Sequence, residues 1–209
     1  MRHHVRVSYD VVAQSYADLL PDTTFEAPED LALISELVAG LPERSRVLDA
    51  GCGAGRMLAH LAALDRTLAL TGIDISSNMV ELARRHNHGA TVDVGDLAAL
   101  PYPDGGFDAA LAWYSLIHAE HADIPGWFAE LRRVVRRGAP LLVAVHAGQG
   151  RRHVTRAYGH DVDLVVVAHD VDHLASMLRA AGFVVEACVE RPARSTERGP
   201  QGFVLARRL

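Results

Sequence analysis

"VLDAGCGAGRMLAHLA", residues Val47–Ala62, runs from a short apolar strand through an acid into three closely spaced glycines and then into a helical pattern. Glycine at such a turn tolerates left-handed backbone angles and lets a ligand approach the main chain. The helix behind the turn presents free N–H groups and the positive end of its dipole. A dinucleotide-binding loop reads G-x-G-x-x-G/A, its third glycine allowing helix and strand to pack closely. Here the spacing is G-x-G-x-G, and Arg56 holds the sixth position. Asp49, two residues before Gly51, puts negative charge where a pyrophosphate would lie. That charge suits a ligand carrying positive charge, such as an amine or a sulfonium.

Outward from this stretch, apolar strands and amphipathic helices alternate. Tyr9, Val12, Tyr16 and Leu19 predict a helix over 8–19, and a second runs from Glu29 or Asp30 to about Val38. Strands are predicted at 46–50, 68–74, 91–96, 107–115 and 139–147, with helices at 56–64, 76–86 and 127–135 between them. This alternation indicates a parallel α/β sheet with its ligand crevice at the strand C-terminal ends. Residues 148–160 read as a polar loop, 162–169 as a strand and 171–181 as a helix. The strands at 183–190 and 202–208 are too close for a crossover helix, so they pair antiparallel.

The totals narrow the classes. The 209 residues suit one domain, with 1–45 as a helical cap on a domain spanning 46–209. A net charge of −5 argues against a nucleic-acid or anionic-membrane partner. "MRHHVRVSYD" lacks the apolar segment of a secretory signal, and Cys52 and Cys188 have no metal-type spacing, so a cytoplasmic location is expected. All 21 basic residues are arginine, which points to a GC-rich bacterial coding sequence and removes lysine-based chemistry. Nothing in the sequence reads out an oligomeric state.

Two further acids fall at strand ends. Asp74 closes the second strand, where a carboxylate can accept bonds from vicinal ribose hydroxyls. Asp96, in "VGDLAAL", sits beside the same cleft and could accept from an adenine amino group. Singly, each is as readily a helix cap.

"VLDAGCGAGR", "GIDISSNMVELAR", "GDLAALPYPDGGFDAALAWYSLIHA", "FAELRRVVRRGAPLLVAVH" and "AAGFVVEACVERP" together resemble the successive motifs of class I S-adenosylmethionine-dependent methyltransferases, over residues 46–190. The resemblance implies a Rossmann-like three-layer sandwich, its seven-stranded sheet parallel except for the last strand. It implies S-adenosylmethionine as cofactor, S-adenosylhomocysteine as product and an unidentified small molecule as substrate. It also implies roles. Gly51, Gly53 and Gly55 would let the methionine part lie on the loop, and Asp49 would hold its amino end. Asp74 would take the ribose hydroxyls, with Ile75 and Met79 beside the adenosine. Asp96 and the Leu97 main chain would hold the adenine. Residues 112–115, Trp113 among them, would floor the site next to the methyl group. The helix "YDVVAQSYADLL" would cover the cofactor and bring Tyr16 to its carboxylate; core packing of Tyr9 and Tyr16 is the other reading. "RRGAP" (136–140) departs from the usual Pro-Gly-Gly turn, which changes a turn and not the chemistry.

Methyl transfer is a direct displacement, and alignment can supply much of its rate. A neutral nucleophile such as a phenol also needs a base. His118, after the fourth strand, is the expected base or substrate-orienting residue, with His121, His146 and Tyr114 nearby. The alternative for His118 is a structural hydrogen bond. His169 and His173 have a two-histidine metal spacing, but Asp170 or Asp172 caps that helix, leaves His169 outside it, and no glutamate partner follows; no metal is expected. Residues 148–160 would form, with the first helix, a substrate lid or a plain connector. An NAD(P)-binding oxidoreductase and a non-catalytic protein keeping the cofactor fold are the rival functions.

Overall fold

A computed structural model describes the chain over residues 2–209. The elements are α1 (Arg2–Leu19), α2 (Pro28–Val38), β1 (Arg46–Ala50), α3 (Arg56–Leu64), β2 (Ala69–Asp74), α4 (Ser77–His86), β3 (Thr91–Val94) and β4 (Ala109–Trp113). They continue as α5 (Ile124–Val134), β5 (Pro140–His146), β6 (Arg151–Ala157), β7 (His160–Val167), α6 (Val171–Ala180), β8 (Phe183–Arg191) and β9 (Gln201–Arg208).

Seven strands form one sheet in the order β3-β2-β1-β4-β5-β9-β8. Pairing is parallel from β3 through β5, and β9 runs antiparallel to both of its neighbours, as the resemblance implied. Strand alternation divides the core between two faces. Leu48 and Ala50 of β1 pack with Phe128 and Leu131 of α5 and Leu174 and Leu178 of α6. Val47 packs the other way, with Ile34 of α2, Leu58 and Leu61 of α3 and Val80 of α4. The strand order reverses beside β1, so the crevice opens where β1 and β4 end.

Two expectations are corrected. The first helix begins at Arg2, well before residue 8. Residues 148–160 are not a loop: Arg151–Ala157 is a strand, and it pairs antiparallel with β7 in a separate two-stranded hairpin. That takes the predicted strand at 162–169 out of the main sheet. The hairpin lacks a sequence signal because β6 is mostly exposed on both faces, so no apolar alternation is required of it. Its turn places Tyr158 (φ 51°) and Gly159 (φ 84°) in the left-handed region, the pair of positive φ values that a tight hairpin turn needs.

α1 lies across the end of α4 and against β7. Val12, Ala13 and Ala17 pack on Met79 and Leu82, with Tyr158 and Val162 closing the cluster. Asp10 accepts hydrogen bonds from Ser76 Oγ (2.6 Å) and the Asn78 backbone N–H (3.3 Å), so α1 supplies a carboxylate to the N-terminus of α4. Ser8 bonds both backbone groups of Asp163, and Ser15 Oγ meets His160 Nε2 at 2.9 Å. Helix and hairpin together roof the C-terminal edge of the sheet.

Candidate functional site

Under that roof lies a cavity of about 680 Å³. One end is the glycine turn. Gly51 and Cys52 donate their N–H groups to the Ile73 carbonyl, and Gly53 donates to Asp74 Oδ2 at 2.9 Å, which ties the turn to the end of β2. The three glycines are needed for different reasons. At Gly51 (φ 85°) a side chain would strike Ser115, because the ends of β1 and β4 touch there. At Gly55 (φ 88°) it would strike Asn87 and Ala83 of α4. Only at Gly53 (φ 52°) would it clash with nothing, its one neighbour being the Tyr16 ring at a van der Waals distance of 3.9 Å. Gly51 and Gly53 line the cavity; Gly55 does not.

Asp74 lines the cavity and accepts one backbone N–H on each oxygen, from Gly53 and from Ser76 (2.9 Å each). Burial pushes its carboxyl above the usual range while those donors pull it down. Ile75 and Met79 follow on the same wall. Asp96 lies two residues beyond β3, in a turn where its Oδ1 accepts from the Ala98 N–H (2.9 Å), and it lines the cavity with Leu97. Trp113, Tyr114 and Ser115 form the floor. Tyr114 has φ 55°, a conformation that non-glycine residues seldom adopt and that clusters at functional sites. Ser115 Oγ and Trp127 Nε1 are buried, line the cavity and have no hydrogen-bond partner among the described residues.

Asp49 is placed otherwise. Alternation along β1 turns it to the Val47 face, under the glycine turn, and it is absent from the cavity wall. Both its oxygens are buried without a hydrogen-bond partner among the described residues. Burial raises its carboxyl to about 7, against the lowering pull of Arg56.

Several cavity residues escaped the sequence reading. Arg56, the first residue of α3, is almost buried and pairs with Glu26, which also accepts from Trp113 Nε1 at 3.3 Å. Tyr16 lies against the same guanidinium and packs edge-on with Tyr9 and Tyr158 (centroids 6.4 and 5.2 Å). Arg56 was visible only as a departure from the dinucleotide pattern, and Glu26 lies in a turn-rich break with no motif around it. Farther along, Arg191 binds Asp30 and Glu197, joining the end of β8, the start of α2 and the β8–β9 loop.

The far end of the cavity holds His118 and His146. His118 Nδ1 lies 2.7 Å from the Val165 carbonyl of β7, so that nitrogen carries the proton. Nε2 then accepts from the Tyr9 hydroxyl at 2.9 Å. Burial lowers the pKa of His118, which keeps the ring neutral. His121 packs its ring against those of His169 and His173, and all three stand outside the cavity lining. Asp170 caps α6, accepting from the His173 N–H at 2.8 Å, and so leaves His169 before the helix. Among the described residues no group of three or more His, Cys, Asp or Glu is arranged to hold a metal.

A parallel sheet reversing beside β1, a glycine turn at that point, an acid at the end of the next strand and an antiparallel β9 between β5 and β8 together form a class I methyltransferase fold. Residues 47–138 match the family model described as a methyltransferase domain. A 37.1 kDa uncharacterized protein from transposon TN4556 of Streptomyces fradiae is 34% identical over 199 residues, covering 90% of this chain. An O-methyltransferase of Pyrenophora dematioidea is 30% identical over 153 residues, or 69% of the chain. The chain spans 56% of the length of each of these relatives. Among solved structures, the 1,6-didemethyltoxoflavin-N1-methyltransferase of Burkholderia thailandensis, bound to its substrate and S-adenosylhomocysteine, superposes with a TM-score of 0.75. It is 22% identical and covers 99% of this chain and 88% of its own, a likeness of fold. Residues 47–138 thus carry a methyltransferase domain, and the chain has the fold of S-adenosylmethionine-dependent methyltransferases.

The residues present fit the family's cofactor. Asp74 keeps acceptor capacity on both oxygens, the missing side chain at Gly53 leaves the turn open, and Ser115 and Trp127 offer buried polar groups without protein partners.

Proposed function

We propose that this chain catalyses S-adenosylmethionine-dependent methyl transfer to a small molecule. The observation that carries the reading is one cavity joining Gly53, Asp74 and Asp96 to His118, His146 and Gln201 under a roof of α1 and the hairpin. When bound, the cofactor supplies a methyl group already activated by its sulfonium. In this reading Gly51, Gly53, Tyr16 and Arg56 receive its methionine part. Asp74 takes the ribose hydroxyls, with Ile75 and Met79 beside the adenosine. Asp96 and Leu97 hold the adenine, and Trp113 floors the methyl end. Asp49 acts from beneath the turn, and Gly55 acts by letting the turn pack on α4.

The roof supports a small substrate: α1, as a cap of residues 1–45 on the 46–209 domain, and the hairpin both contribute residues to the cavity wall and narrow it above the sheet edge. His118 orients that chamber by joining Tyr9 of α1 to Val165 of the hairpin. To serve as the base it must first part from the Tyr9 hydroxyl. The net charge of −5 speaks for neither nucleic acid nor membrane as partner. Among the described residues no helix is long and apolar enough to cross a membrane. We place the protein in a bacterial cytoplasm on its all-arginine basic content and unpaired cysteines.

The test is calorimetry with S-adenosylhomocysteine and with NAD. We expect binding of the first only. Asp74→Ala should weaken it by about 1.5–3 kcal/mol, the scale of a hydrogen bond to a charged group. Wild-type affinity in a folded Asp74→Ala protein removes that residue from the site.

A further inference from the structure

His146 ends β5 and stands in register opposite Gln201, the first residue of β9. Gln201 is almost fully buried, and its amide is held in one orientation: Nε2 donates to the Gly199 carbonyl at 2.7 Å. Its Oε1 therefore faces His146 Nδ1, 3.1 Å away. A carbonyl oxygen can only accept, so Nδ1 is the protonated nitrogen and Nε2 carries a free lone pair. Unlike His118 Nε2, which Tyr9 occupies, His146 Nε2 has no hydrogen-bond partner among the described residues. The ring lines the cavity and packs on Tyr114, with centroids 5.3 Å apart at 38°.

The charges around the ring are asymmetric. Tyr114 of the floor, His118, His169, Arg152 of β6 and Glu197 of the β8–β9 loop face it. Glu197 is already neutralised by Arg191 and Arg194. Arg151 pairs with Glu120, whereas Arg152 lines the cavity with no ion-pair partner among the described residues. Burial, with Arg152 adding to it, lowers the pKa of His146, so the imidazole is neutral near neutral pH.

We propose that His146 Nε2 is the general base of the reaction and that Arg152 beside it selects an acidic hydroxyl, a phenol or enol, over an amine as methyl acceptor. This rests on the methyltransferase reading. His146 Nε2 takes the O–H proton while the acceptor oxygen forms its bond to the transferred carbon. The C–S bond breaks with its electron pair left on sulfur, and the imidazolium then releases its proton to solvent. Arg152 stabilises the negative charge that develops on oxygen and disfavours the positive charge that an attacking amine nitrogen develops. Gln201 is a positioning residue that fixes the tautomer.

The test uses the full chain with S-adenosylmethionine, para-methoxyphenol and catechol as probes, and para-anisidine as the amine control. S-adenosylhomocysteine release should be seen with the phenols and not with the amine. His146→Gln should lower turnover on the phenols roughly 10²–10⁴-fold with S-adenosylhomocysteine affinity unchanged. Arg152→Ala should raise KM for the phenols and narrow their advantage over the amine. Nitrogen chemical shifts of the wild-type imidazole near neutral pH should report the Nδ1–H tautomer. Adding para-methoxyphenol to the protein saturated with S-adenosylhomocysteine should shift the Nε2 signal. Gln201→Leu should mix the tautomers and lower turnover less than His146→Gln does. The proposal is overturned by an Nε2–H tautomer, by full activity in His146→Gln, by an amine methylated as fast as the phenols, or by no phenol binding or reacting while S-adenosylhomocysteine binds. Failure of S-adenosylhomocysteine itself to bind overturns the methyltransferase reading instead.

Discussion

Asp49 and Gly55 show how residues of one motif separate once they are folded. Both belong to the signature that suggested the cofactor, yet neither lines the cavity. Gly53→Val should abolish S-adenosylhomocysteine binding while costing only about 1–3 kcal/mol of backbone strain, because its side chain enters the cavity beside the Tyr16 ring rather than the packed turn. Gly55→Ala should do the reverse. Its methyl group would collide with Asn87 and Ala83, so thermal stability should fall and affinity per folded molecule should persist. Matched calorimetry and thermal melts of the two variants check the division. Asp49 carries a stability signature of its own. Its carboxyl is raised to about 7 in the fold, so the native state holds a proton that the unfolded chain has already released. Its contribution therefore favours the fold at low pH and is lost as pH rises through that window. Asp49→Asn, which resembles the protonated acid, should melt higher than wild type above about pH 7 and lose that advantage near pH 4. Equal shifts at both pH values would mean that Asp49 is not the titrating group.

At the scale of elements, the sheet and its helices were legible because their apolar residues repeat with the periods of buried structure. β1, α3 and α2 end at the residues read from the sequence, and α4 and α6 start where Ser76 and Asp170 cap them. The hairpin was not legible: β6 buries too little of either face to impose a period. Nor were the ties between distant elements. The Arg191–Asp30–Glu197 group joins residues far apart in the chain, with side chains 11%, 1% and 8% exposed. Asp30→Ala leaves the Arg191 charge buried with a single partner and should cost about 3–5 kcal/mol, read from urea unfolding. A loss below about 1 kcal/mol would mean that the group behaves as a surface pair.

For the whole molecule, buried and half-buried imidazoles work against Asp49 in the response to mild acid. His60, His118, His146 and His169 all have lowered pKa values, with burial the leading cause in each. Below about pH 6.5 the unfolded chain binds protons at these positions that the native state refuses, so stability falls with pH there. With Asp49 replaced by Asn to remove the opposing carboxyl, urea midpoints should drop between about pH 7 and pH 5, and adding His118→Gln should shallow the slope. A flat profile would mean that these rings titrate alike in both states. The sequence by itself determined the α/β class, the glycine turn and the acids at the strand ends. Those follow from local period and from turn chemistry, which are written in consecutive residues. Only the tertiary structure decided which face Asp49 takes, that Tyr9 occupies His118 Nε2, and that Gln201 leaves His146 Nε2 bare. The reason is physical: hydrogen-bond partners more than fifty residues apart meet only through sheet register and helix docking, and the proton on an imidazole follows those partners.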